Sequence, residues 1–136
     1  MEIKGSCLCG AYRFSITEPM EMMSTCYCSV CRKAHGTGQA TFVACSKTAL
    51  QLEQGEDVVS DFKTQLGGTR NFCKNCGSNL PVDAGERFII PAGLLDDDPG
   101  VDTVIHIFVA SKAPWVHIPD GGTQHDEYPP EWLEEN

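Results

Sequence analysis

Cys73-Lys74-Asn75-Cys76-Gly77 places two thiols one tight turn apart, with a glycine directly behind the second. That spacing is the usual turn that brings two thiolates to one metal ion, because glycine permits the backbone conformation by which the chain leaves the turn. Two thiols do not close a tetrahedral site, so a second pair must come from elsewhere. Cys7-Leu8-Cys9 supplies it: in an extended segment, residues two apart point to the same side, and both sulfurs can face one ion. The two pairs predict a closed structural zinc site of four thiolates, Cys7, Cys9, Cys73 and Cys76. Core thiols with no ligand role would not explain the pairing.

A third group, Cys26-Tyr27-Cys28-Ser29-Val30-Cys31, differs in kind. Its three thiols can all face a second zinc yet leave it one ligand short, and three-ligand sites with an exchangeable position are the catalytic pattern. Water, a substrate thiol or a remote side chain such as His35 or His106 could complete the set. A short helix is expected from Cys28 to His35, with Ser29 at the N-cap and Gly36 at the stop. Its first-turn amides would lie near Cys28 and Cys31 and favour thiolate. Arg32 and Lys33 add positive charge. The alternative is a structural triad completed by a fourth protein ligand. Cys45 ends the apolar run Phe42-Val43-Ala44-Cys45 and reads as a small hydrophobe outside either site.

The 136 residues fit a single domain, 1–136, with 41% hydrophobic and 21% charged residues, close to the soluble globular average. The amino terminus shows no basic segment followed by an apolar stretch, and no run approaches the length of a membrane span, so a cytoplasmic location is expected. There thiols stay reduced, which favours metal ligation over disulfides. Ten basic against 19 acidic residues give a net charge of -9, which argues against nucleic acid or an anionic membrane as the main partner. Part of that charge lies in an irregular acidic tail from about residue 120, containing Asp120, Asp126, Glu127, Glu131, Glu134 and Glu135.

Strand-like runs dominate the remainder: 11–17, 41–45, 50–53, 58–64, 86–92 and 104–110, most rich in β-branched or aromatic residues and separated by turn chemistry at Gln54-Gly55-Glu56, Leu66-Gly67-Gly68 and Asp98-Pro99-Gly100. The faces of 57–64 are weakly distinguished, which suits an edge strand. The fold class expected is mainly β.

Taken together, Gly5–Ala11, Cys26–Arg32, Arg70–Leu80, Ala92–Asp97 and His106–Trp115 resemble the glutathione-dependent formaldehyde-activating enzyme family, which is similar to a centromere-protein group and shares its fold with a small GTPase-binding protein. The resemblance spans almost the whole chain and includes all seven cysteines of the family pattern. It implies an Mss4-like fold: several small coiled antiparallel sheets around a structural zinc, with one or two short helical turns. It also implies a carbon-sulfur lyase acting on the adduct of formaldehyde and glutathione, S-hydroxymethylglutathione, with Cys26, Cys28 and Cys31 holding the second, exchangeable zinc as the active site. Many members carry His where this chain has Tyr27. That side chain should face away from the metal in an extended C-x-C, so the change bears on substrate choice more than on ligation.

In that reaction a thiol at the open zinc position loses its proton and attacks the carbonyl carbon of formaldehyde; the reverse direction is carbon-sulfur cleavage. His106 is the candidate for proton transfer, set against a hydrogen-bonded structural histidine, since it shares a face with Val104 and Phe108. Glutathione is anionic, so local cations must offset the global charge, and Arg32, Lys33 and Arg70 are the candidates. The other classes open to the chain are a non-catalytic thiol carrier and a structural interaction module.

Overall fold

Apolar alternation persists for only a few residues at a time in this chain, and its strands are correspondingly short. The computed structural model describes residues 2–65, 68–101, 104–118 and 121–133. In chain order the strands are β1 (Ile3–Ser6), β2 (Arg13–Ile16), β3 (Met22–Cys26), β4 (Ala40–Ser46), β5 (Leu50–Gln54), β6 (Val59–Lys63), β7 (Thr69–Cys73), β8 (Asn79–Leu80), β9 (Val82–Asp83), β10 (Arg87–Pro91) and β11 (Val104–Ile107). Helix α1 (Ser29–His35) follows β3, and α2 (Pro130–Leu133) lies in the tail. The fold is mainly β, built from several small sheets. No helix among the described residues is long and apolar enough to cross a membrane.

The chain groups into two compact units, one formed by residues 1–22 and 42–101, the other by 23–41 and 102–136. In the first, β1, β2 and β5 make an antiparallel sheet whose inward face carries Ile3, Phe14 and Ile16, all essentially inaccessible. Gly5 sits opposite Phe14, and a Cβ there would lie 2.2 Å from Phe14 Cζ, so the ring occupies the space any side chain would need. Gly5→Ala is therefore expected to lower stability by about 1–3 kcal/mol through overpacking, read as a lower denaturant midpoint with unchanged slope. An unchanged midpoint would mean that the ring can move aside.

Strands β6, β7 and β8 form a second antiparallel sheet with β6 at its edge, as the weak alternation of 57–64 suggested, and Val59 and Phe62 on β6 are exposed. Antiparallel pairing of β4 with β10 and of β10 with β9 buries Val43 and Ile90. Cys45 on β4 is fully buried, and burial, with Glu21 and Glu18 adding to it, pushes its thiol up to about 11. It behaves as the small hydrophobe expected.

In the second unit, β3 and β11 pair in parallel, with Thr25 opposite His106 and Cys26 opposite Ile107. Every other strand pair described above is antiparallel. A parallel partner needs a long connection, and β11 is recruited from far along the chain. Helix α1 covers the expected span and stops at Gly36, whose φ of 66 is the left-handed stop glycine tolerates. Its N-cap is Cys28 and not Ser29, because the Cys28 sulfur takes the amide proton of Cys31. Tyr27, Ala113 and Val116 form the buried cluster of this unit, with Val109 and Ile118 against it. After Ile107 the backbone turns sharply at Phe108, a non-glycine residue with φ 55. The Phe108 ring meets Tyr128 edge-on at 4.8 Å, and Tyr128 meets Trp132 of α2, so the tail docks through aromatics. Of the acidic tail, Asp120, Glu134 and Glu135 lie outside the described residues, as do Leu66 and Gly67 of one expected turn.

Candidate metal centres

The first cluster lies wholly within residues 1–22 and 42–101. Cys7 follows β1, and the Gly10 amide donates to the Cys7 carbonyl at 3.0 Å, closing a tight turn in which Gly10 takes φ 79. Cys7-Leu8-Cys9 is thus turned and not extended, and its sulfurs converge by curvature instead of by strand alternation, leaving Leu8 86% exposed. On the other side, Cys73 ends β7 and the Gly77 amide donates to its carbonyl at 2.7 Å. Gly77 has φ 80, the role expected of the glycine behind the second cysteine.

All four sulfurs lie within 4.8 Å of one another; Cys7 to Cys9 is 3.6 Å and Cys9 to Cys73 is 3.8 Å. Thiolates about 2.3 Å from a tetrahedral ion stand about 3.8 Å apart, so the donor set has the shape of a closed tetrahedral site. The Tyr12 amide, 3.3 Å from Cys7 Sγ, supplies an outer hydrogen bond to it. Ser78 links the two turns. Its hydroxyl accepts the Leu8 amide at 2.9 Å and lies 3.3 Å from Cys76 Sγ, so its proton is available to the sulfur.

That hydroxyl, helped by the Ser78 backbone, holds the Cys76 thiol down to about 5. Next to it, although the Ala11 backbone pulls the other way, desolvation and the sulfurs of Cys7, Cys76 and Cys73 push Cys9 up to about 11. Four neighbouring sulfurs cannot all ionise without a cation among them. Because the folded value of Cys76 lies below its ordinary 9.0, its contribution to stability is full above about pH 9, fades as pH falls and is gone below about pH 5. Ser78→Ala is therefore expected to shift the pH at which this cluster releases metal upward, measured by titration against a chromophoric chelator. An unmoved midpoint would assign the hydroxyl no influence on the sulfur.

The second cluster lies wholly within the other unit. Cys26 closes β3, Cys28 caps α1 and Cys31 sits in its first turn, so a strand end and a helix start bring the three sulfurs within 4.8 Å. Cys26 and Cys31 are buried and Cys28 is half-buried. Hydrogen bonding with Cys31 and then burial push the Cys26 thiol above the ordinary thiol range. Loading a metal here would therefore release protons. Among the described residues no fourth His, Cys, Asp or Glu joins the group.

Between Cys26 and Cys28, Tyr27 is buried in its apolar cluster, 2% exposed, with its hydroxyl 2.9 Å from His106 Nδ1. His106 is 3% exposed. Of the two roles open to that histidine, this burial and partner favour the hydrogen-bonded structural one. Arg32 and Lys33 stand on α1 directly after Cys31; Lys33 is exposed, while Arg32 Nε is buried without a hydrogen-bond partner among the described residues. His35 ends the same helix. Arg70 lies on β7, opposite Phe62, in the unit that does not contain the triad. Sequence reasoning missed Ser78 and the amide of Tyr12. A serine just past Cys76-Gly77 was the available signal, since short hydroxyl side chains bond back to nearby turns.

The sequence profile of the glutathione-dependent formaldehyde-activating enzymes matches residues 2–111. A Halomonas elongata protein provisionally named a glutathione-dependent formaldehyde-activating enzyme is 30% identical over 128 residues, covering 87% of this chain and 82% of that protein. A crystal structure of a Rhodobacter sphaeroides protein shares the fold with a TM-score of 0.54 at 22% identity, covering 73% of this chain and 90% of the other.

Proposed function

The chain belongs to the glutathione-dependent formaldehyde-activating enzyme family, and on that premise we propose that it is a zinc-dependent carbon-sulfur lyase or synthase acting on S-hydroxymethylglutathione or another small thiol adduct. The observation that carries this reading is the triad itself: Cys26, Cys28 and Cys31 bring three sulfurs together at a helix start and, among the described residues, stop one short of a closed set. Cys7, Cys9, Cys73 and Cys76 hold a structural zinc in this reading, and the triad holds an exchangeable one. Bound there, zinc supplies an open position at which an incoming thiol is favoured as thiolate.

The remaining work falls to the protein's own groups. The Cys31 amide, spent on Cys28 Sγ at 3.3 Å, stabilises negative charge on that ligand. Lys33, exposed on α1, and Arg32 beside Cys31 offset an anionic substrate locally, against the net charge of -9. Arg70 lies in the other unit and takes no part in this proposal. In the forward direction the thiol proton is lost, a carbon-sulfur bond forms, and the carbonyl oxygen takes up a proton, so no net proton is released per turnover. His106 enters as a holder of Tyr27 and not as the group that moves this proton. The cytoplasm, where seven clustered thiols stay reduced, is the compartment we assign.

Proton NMR of glutathione and formaldehyde with the zinc-loaded protein tests the reading. Rates of adduct formation and exchange should rise in proportion to enzyme. Rates that stay flat across a wide range of enzyme would overturn it, and saturable binding without acceleration would make the protein a thiol carrier.

A further inference from the structure

The middle residue of the Cys26-Tyr27-Cys28 step is neither exposed nor idle. We propose that Tyr27 is a positioning residue for the triad, pinned through its hydroxyl by His106, which is in turn clamped by the tail segment 123–127. The inference rests on the reading of the triad as a metal site.

Geometry carries it along the chain of contacts. Tyr27 sits between Cys26, the last residue of β3, and Cys28, extended at φ -69 and ψ 159, and its ring is buried against Ala113 and Val116 while the sulfurs of both neighbours converge with that of Cys31. A fixed ring holds the short backbone from which both sulfurs project. The ring is held along its length by Ala113 and Val116 and at its tip by His106 Nδ1 at 2.9 Å. The Tyr27 amide donates to the Ile107 carbonyl at 3.1 Å, one residue beyond the pairing of Cys26 with Ile107.

His106 would be a poor anchor if β11 itself were loose, but its backbone is held twice. Its amide donates to the Thr123 carbonyl at 2.8 Å, and its carbonyl accepts the His125 amide at 2.9 Å. The same segment continues onto the turn that follows: the Val109 amide donates to the His125 carbonyl at 3.1 Å and the Phe108 amide to the Glu127 carbonyl at 3.2 Å. A non-glycine residue at φ 55 persists only where its surroundings over-determine it, and Glu127 and Tyr128 are what surround Phe108. The clamp lies past residue 111, where the family match ends, so the anchoring of Tyr27 draws on a part of the chain that the family profile does not describe.

The test is metal partition between the two clusters in the full chain, by competition with a chromophoric zinc chelator. Tyr27→Phe keeps the ring and removes only the hydroxyl. The second zinc equivalent should bind about 10–100-fold more weakly while the first is unchanged, the range by which groups supporting a metal ligand alter affinity. His106→Leu should show at least the same loss, and the double variant no more than His106→Leu alone, since both remove the bond between Tyr27 and His106. The four-thiol cluster serves as the internal control for folding. Unchanged affinity at the second equivalent in both variants, with only the melting temperature lowered, would overturn the proposal and leave a packing role. Additive losses in the double variant would overturn it as well. Wild-type protein that takes up a single equivalent would instead remove the metal reading of the triad, and this inference with it.

Discussion

Cys73→Ser is expected to cost the first unit most of its stability. Cys73 is fully buried at the end of β7, and a metal held by the four-thiol cluster, as proposed, would tie it to Cys9 across 64 positions of sequence. Closing a loop of that length constrains the unfolded chain by roughly 4 kcal/mol, if a metal cross-link is treated like a covalent one. Against a total of about 5–15 kcal/mol for a domain, that is a large share. Removing the ligand also leaves a polar hydroxyl at a site with no accessible surface. Circular dichroism melts with and without chelator are the measurement: the wild type should drop sharply on chelation, and the variant should already melt near that lowered temperature. A variant that melts with the metal-loaded wild type would deny this cluster its structural role.

Cys28→Ser should do the opposite, cutting turnover while the fold survives. Serine is a preferred N-cap, and its oxygen can take over the Cys31 amide that Cys28 Sγ accepts, so α1 keeps its start. It is a poor ligand for the ion this site is proposed to hold. The loss of several kcal/mol of charge stabilisation corresponds to a fall of about 10²–10⁴-fold in turnover. The variant should retain one zinc equivalent and melt close to the wild type, and the two readouts together separate lost chemistry from lost structure. Full turnover in a protein lacking this sulfur would sink the assignment of the triad.

The grouping of the cysteines was legible in the sequence because thiol spacing is a local property: C-x-x-C-G and the two C-x-C steps lie within a few residues, and each folded into a convergent set. The route differed in one case. Cys7-Leu8-Cys9 converges by a turn, since Gly10 accepts a positive φ that alternation along a strand would not use. Strands with strong β-branched character were visible, β4 and β10 among them. Strands β1 and β3 were not, for identifiable reasons. β1 is interrupted by the glycine that Phe14 requires, and β3, Met22-Met23-Ser24-Thr25-Cys26, is recognisable only beside its parallel partner β11. The hydrogen bond from Tyr27 to His106 spans 79 positions and depends on that register, which no local pattern encodes.

The interleaving of the two units also sets an order in time. Every ligand of the four-thiol cluster has been made once the ribosome passes Cys76, so that site can close while the chain is still being synthesised, in keeping with the tendency of early units to fold first. The triad is translated much earlier than Cys76, yet the parallel partner of its strand, β11 at Val104–Ile107, and the segment 123–127 bonded to β11 are made late. Nascent Cys26, Cys28 and Cys31 therefore have one another from the start, while the strand that carries Cys26 gains its parallel partner only late in synthesis.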